Sequence, residues 1–125
     1  MTRSKHRLSP NRPSVLVALV SVLLAGPVAC APKGEALYAE AEQALAKGDL
    51  DTAIIHLRNF VAADPNHAAG RALLGRALVE SGAIQAGGIE IRKAKELGAP
   101  REMTLVPECD VLIVERAFDA VLANC

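Results

Sequence analysis

The pattern of apolar and polar positions changes once, sharply, along this chain. Residues 15–25 read VLVALVSVLLA, a nearly unbroken apolar run that Gly26-Pro27 ends. From Glu35 onward the texture is mixed, and Ala, Leu, Glu and Lys dominate, all strong helix formers. No stretch alternates with period two for long, so strands are not expected. Breakers fall at Gly48-Asp49, Asp64-Pro65-Asn66, Gly82, Gly98-Ala99-Pro100 and around Arg116. They predict an all-α chain of helices roughly a dozen residues long.

The breaks recur in step. Gly48, Gly82 and Arg116 are spaced by 34 residues. Leu50, Ile84 and Phe118 follow each break by two, Ala53, Gly87 and Val121 by five, and Leu57, Ile91 and Cys125 by nine. Each column has a physical reason. Glycine ends a helix in the left-handed conformation that other residues reach only against steric strain. Asp49 can then cap the next helix by accepting from an orphan amide, and Asn66 can do the same after Pro65 stops the preceding one. Ala53 and Gly87 are small where two helices of one unit cross closely. Leu50, Ile84 and Phe118 anchor the start of each second helix. A helix–turn–helix unit repeating every 34 residues is the tetratricopeptide signature. The match is clearest over GDLDTAIIHLRNFVAADP, residues 48–65, and weakest from Met103 to Cys125.

Composition adds exclusions. The chain is 51% hydrophobic and 22% charged, too apolar for disorder. With no Trp, one Tyr and two Phe it has little aromatic surface for stacking bases, so no nucleic-acid partner is expected. The 14 Lys+Arg balance 14 Asp+Glu, but unevenly. Residues 1–14 hold Arg3, Lys5, Arg7 and Arg12 and no acid, which leaves the remainder at a net of −4. A basic head, a short apolar core and small residues after it describe a secretory signal, since a bilayer span needs ~20 apolar residues. Val28-Ala29-Cys30 resembles the end of a bacterial lipoprotein signal, whose cysteine is acylated and becomes the new N-terminus. Pro27 stands where that family prefers Leu. Acyl chains on Cys30 would anchor the protein, at ~0.8 kcal/mol per buried CH₂. Ala31 rather than Asp after the cysteine implies, by the same resemblance, the periplasmic side of the outer membrane. Ala29-Cys30-Ala31 also reads as an ordinary signal-peptidase site, and that cleavage would give a soluble periplasmic or secreted chain.

Glu35 to Pro65 and Leu73 to Arg101 resemble the start of the tetratricopeptide-repeat (TPR) lipoprotein of the PEP-CTERM/exosortase system. The resemblance rests on Tyr38-Ala39-Glu40-Ala41, AKGDLDTAIIHLRNF, RALLGRALVESG and EIRKAKELGAPRE. It implies a lipid-anchored, periplasm-facing binding protein linked to surface-protein sorting and exopolysaccharide production. The expected organisation is a signal peptide over 1–30, a linker over 31–34, TPR-like repeats over 35–67 and 68–101, and a partial third over 102–125. Several positions depart from the family. Gly87-Gly88 lie inside a helix, at ~1 kcal/mol each relative to Ala. Phe60 fills a column usually held by a small residue, Arg116 replaces the turn glycine, and Glu108-Cys109-Asp110 places charge where the family is apolar. The family is also much longer, so a truncated gene remnant without independent activity stands as an alternative reading.

A repeat cannot bury its apolar face alone. An apolar end surface is therefore expected near Val111, Leu112, Ile113, Phe118, Val121 and Leu122, over a terminal helix from Ala117 to Cys125. It would meet a partner chain, self-associate or fray. Arrays of this kind bind along the concave face, lined by the first helix of each unit. The repeat phase places Tyr38, Glu42 and Leu45 there, then Ala72, Arg76 and Val79, then Val106, Asp110 and Ile113. Glu42, Arg76 and Asp110 would form a charged row. The groove lacks the Lys/Asn pattern of chaperone-tail clamps.

No enzyme, cofactor or metal site is expected. Beyond the signal only His56 and His67 remain, both expected at the surface, and neither H-E-x-x-H nor C-x-x-C occurs. Cys109 and Cys125 lie 16 apart, on facing helices of the third hairpin in this register. An oxidising periplasm permits a disulfide between them that would staple the C-terminal end.

Overall fold

The computed structural model describes residues 33–125. The expected signal peptide, Cys30 and Ala31-Pro32 lie outside the described residues. Six helices follow one another: α1 Lys33–Ala46, α2 Leu50–Ala63, α3 Ala68–Glu80, α4 Ile84–Glu96, α5 Arg101–Val114 and α6 Phe118–Asn124. No strand occurs among the described residues. Links of three or four residues fold each helix back onto the one before, and α3 also packs against α5. Two boundaries differ from expectation. Lys33 and Gly34 belong to α1 rather than to a linker, and Gly34 sits against the ring of Phe60. The last helix starts at Phe118 and ends at Asn124, shorter than expected.

The turns explain the 34-residue rhythm. Gly48 and Gly82 have φ of 74° and 89°, and each turn is closed by the same pair of bonds. Gly48 N–H donates to Leu45 O at 3.0 Å and Asp49 N–H to Ala44 O at 2.9 Å. Gly82 N–H and Ala83 N–H repeat this toward Val79 and Leu78. Two amides thereby satisfy carbonyls that the helix end leaves orphaned. Arg116 makes the same turn toward Ile113 and Leu112, with φ of 60° despite its side chain. That strain costs about 1 kcal/mol.

Caps follow the sequence only in part. Asp49 caps α2 by accepting from the Thr52 amide at 3.1 Å. The Thr52 side chain and amide hold its carboxyl below the ordinary carboxylate range. Asn66 does not cap α3. Its own amide donates to the Asp64 carboxylate at 3.3 Å, and His67 takes the cap, its Nδ1 accepting from Gly70 N–H at 3.0 Å. The His67 ring is fixed for this task by an aromatic cluster, 4.9 Å from Phe60 and 5.8 Å from Tyr38 between centroids. His67 is therefore a half-buried structural residue rather than a loose surface one.

The core runs through Ala41, Ile54, Leu57, Phe60, Leu74 and Leu78. Phe60 fits because Gly70 leaves it room: a methyl group there would stand 2.4 Å from its ring. Gly87 has a similar use between α3 and α4. A methyl group on it would lie 2.6 Å from Val79 Cγ2 and 2.8 Å from the Gly75 carbonyl oxygen. Both of the mid-helix glycines, Gly87 and Gly88, are buried. The helix propensity they forfeit is offset by close packing. Ion pairs tie the layers at the edges. Arg71 reaches Glu90 at 2.5 Å across α3 and α4, and Lys95 of α4 holds Glu108 of α5. His56 is half-buried, not on the open surface, with Nδ1 3.2 Å from the Glu40 carboxylate but off the hydrogen-bond line.

Packing thins toward the C-terminus. Val111 is buried, Leu112 and Val121 are half-buried, and Ile113, Val114, Phe118 and Leu122 are exposed, Leu122 at 86%. Cys109 and Cys125 are joined by a disulfide, their Cα atoms 6.0 Å apart. Arg101 adds a second tie, its guanidinium donating to Asn124 O at 2.6 Å.

Candidate interaction groove between α3 and α5

The contact between α3 and α5 leaves a hollow of about 360 Å³. Ala72, Leu73, Arg76, Val79 and Glu80 of α3 form one wall. Glu102, Met103, Val106, Pro107 and Asp110 of α5 form the other. The spacing is helical on both sides. Positions 72, 73, 76, 79 and 80 share one flank of α3, as 102, 103, 106, 107 and 110 do of α5. Ala72 and Val79 are buried, so the floor is firm. Val106 is 66% exposed and stands in the opening.

Pro107 is buried within α5, and the helix continues through it. Its ring supplies no N–H toward the Met103 carbonyl, a helix defect worth about 3 kcal/mol in an open helix interior. Here the ring contributes apolar wall.

The rim is charged. Arg76 turns along its own helix to Glu80, at 2.7 Å, with both side chains partly exposed. Of the expected charged row of Glu42, Arg76 and Asp110, Arg76 pairs with Glu80 alone among the described residues. Glu102 and Asp110 make no ion pair among the described residues.

Five of the nine residues expected on the binding face thus meet in one hollow: Ala72, Arg76, Val79, Val106 and Asp110. The other four do not line it. Tyr38 packs on Phe60 and His67, bordering a separate hollow with Glu35 and Asp64. Burial, then the nearby Glu42 carboxylate, raises the Tyr38 phenol above its ordinary pKa. Leu45 packs against the core, Glu42 is exposed, and Ile113 is exposed on α5 one turn past Asp110. Repeat phase alone missed Leu73, Glu80, Glu102, Met103 and Pro107. Counting three and four residues from Arg76 and Val106 would have found four of them, Leu73 and Glu80 on α3 and Glu102 and Met103 on α5.

Two other hollows are larger but less suited to recognition. In the one beside Arg58, Ala86 and Ile89, the half-buried charges Arg71 and Glu90 already satisfy each other. In the one beside Tyr38, the His67 Nδ1 is already taken up by the cap on Gly70 N–H and its ring by the aromatic stack. Among the described residues no three His, Cys, Asp or Glu side chains gather as metal ligands. No described helix is long and apolar enough to cross a membrane. No family model, curated protein or solved structure matches the chain.

Proposed function

We propose that this protein is a tetratricopeptide-like binding scaffold that holds a protein partner in the groove between α3 and α5. The observation that carries this reading is the groove itself: an apolar floor, an exposed Val106 and charged rims meet where two first helices of successive hairpins pack. The 34-residue rhythm of its turns supports the repeat reading. A lipid anchor at Cys30 would hold the scaffold at the periplasmic side of the outer membrane, and the resemblance to the PEP-CTERM lipoprotein would link it to exosortase sorting and exopolysaccharide production. Both rest on sequence.

Site-directed photo-crosslinking in envelopes tests the groove. A benzophenone side chain at Val106 should give a discrete crosslinked product, and the same group at exposed Gln85 on α4 should not. Equal labelling from both positions, or none from Val106, ends the groove reading. Metabolic labelling with an alkynyl fatty acid tests the anchor: label should appear on the wild type and vanish in Cys30→Ser.

A further inference from the structure

The described body carries its charge unevenly between two sets of helices. The first helices of the hairpins, α1, α3 and α5, hold seven acids and four bases, whereas α2, α4 and α6 hold four of each. Partners already cancel much of this. Glu108 is held by Lys95, and Glu80 by Arg76. On the groove wall made by α5, Glu102 and Asp110 are left with no cation among the described residues. Between them on the same wall stands Val106, with Met103 and Pro107 beneath.

The spacing is informative. Glu102, Val106 and Asp110 are successive fourth residues, so the two acidic positions are about 12 Å apart along the helix at ~1.5 Å per residue. An extended peptide advances ~3.3 Å per residue and alternates its side chains. Four residues therefore span about 13 Å, and the first, third and fifth side chains point the same way. A ligand strand lying along α5 would bring its first and fifth side chains to the two carboxylates and its third past Val106 toward the apolar floor.

Resting on the groove reading above, we infer that the groove is built for an extended cationic segment of a partner protein with the pattern basic, any, aliphatic, any, basic. Glu102 and Asp110 receive the two cations, and the apolar lining of Leu73, Val79, Met103 and Pro107, with Val106 at its opening, receives the aliphatic side chain. The Arg76–Glu80 pair forms the opposite rim and adds no net charge to it.

A displayed library of random 12-residue peptides, selected against the protein, tests this without assuming a partner. The expected winners carry Lys or Arg at a four-residue spacing around Leu, Ile, Val or Met. A fluorescent winner should lose about threefold in affinity to Glu102→Gln or Asp110→Asn and about tenfold to both together, in keeping with exposed ion pairs. Its affinity should fall as salt rises in the wild type and stay nearly flat in the double variant. Val106→Asp should abolish binding. All three residues are exposed, so circular dichroism should show an unchanged fold. Winners that lose binding in Val106→Asp but show no basic spacing, or ignore the loss of the two carboxylates, overturn the charge inference and leave the groove standing. An empty selection, or winners indifferent to Val106→Asp, overturns the groove and this inference with it.

Discussion

Eight of the thirteen residues of α3 are buried, whereas α6 buries none. The second hairpin, α3 and α4, and the third, α5 and α6, are nevertheless cut to the same 34-residue plan. The second is held by contact: Gly75 and Gly87 let α3 and α4 touch backbone to side chain, Ile91 is 2% exposed, and Arg71 clamps Glu90. Its turn uses a glycine in the left-handed region. The third lacks each of these. Its turn forces Arg116 into that region, its anchor Phe118 is 58% exposed, and a disulfide and one arginine tie the end down. Equal helix and turn patterns do not imply equal stability. The energy comes from the surface that neighbouring helices cover, and α6 packs chiefly on α5.

The largest effect should separate the two anchors. Ile91→Ala should destabilise the protein by about 3 kcal/mol, as buried aliphatic truncations do. Phe118→Ala should cost under about 1 kcal/mol, because little of its surface is removed from water. Urea melts of the two variants check this, and equal losses would erase the contrast. Next comes the disulfide. Closing a loop of this length restricts the unfolded chain by up to about 3 kcal/mol. Reduction should therefore strip hydrogen-exchange protection from 118–124 while leaving α2 to α4 protected. Loss of protection throughout would show that the third hairpin supports the others.

Smaller effects refine the same contrast. Gly87→Ala should destabilise by about 1–2 kcal/mol, since overpacking against the Gly75 carbonyl outweighs the gain in helix propensity. At Gly88 the nearest obstacle is a methyl of the buried Val111 at 3.2 Å, and crowding it offsets most of the gain in helix propensity, so Gly88→Ala should change stability by less than about 0.5 kcal/mol. Thermal melts that rank the two the other way would refute the close-approach account. Comparable in size to Gly87→Ala and opposite in sign, Arg116→Gly should stabilise by about 1 kcal/mol by relieving the left-handed strain. No gain in the melt would mean that the Arg116 side chain contributes a contact that offsets its backbone.

The helices were legible in sequence because their ends are written in residues with strong local chemistry. Gly48, Gly82, Pro65 and Asp49 each act within a few residues of themselves. The α3–α5 wall was half legible, since repeat phase carries Ala72 onto Val106 and Arg76 onto Asp110, whereas it carries Val79 onto Ile113, which lies outside the hollow. Phase failed at Tyr38 and Leu45 because both are recruited by packing, one by Phe60 and His67 and the other by the core. His67 was illegible as a cap because imidazole is an unusual capping group and owes its aim to a ring stack formed across helices. Gly75 was illegible for a similar reason: its value depends on Ile91, sixteen residues away. Pro107 sits inside α5 as part of a wall, a use that shows only once α3 is packed beside it.

The bond between Cys109 and Cys125 encloses the exposed turn at Glu115-Arg116. A trypsin-like protease cutting after Arg116 would therefore release nothing. The nicked molecule would migrate as one piece until a thiol reagent parted it, and its tail would stay attached through a cut that would detach an unbridged one.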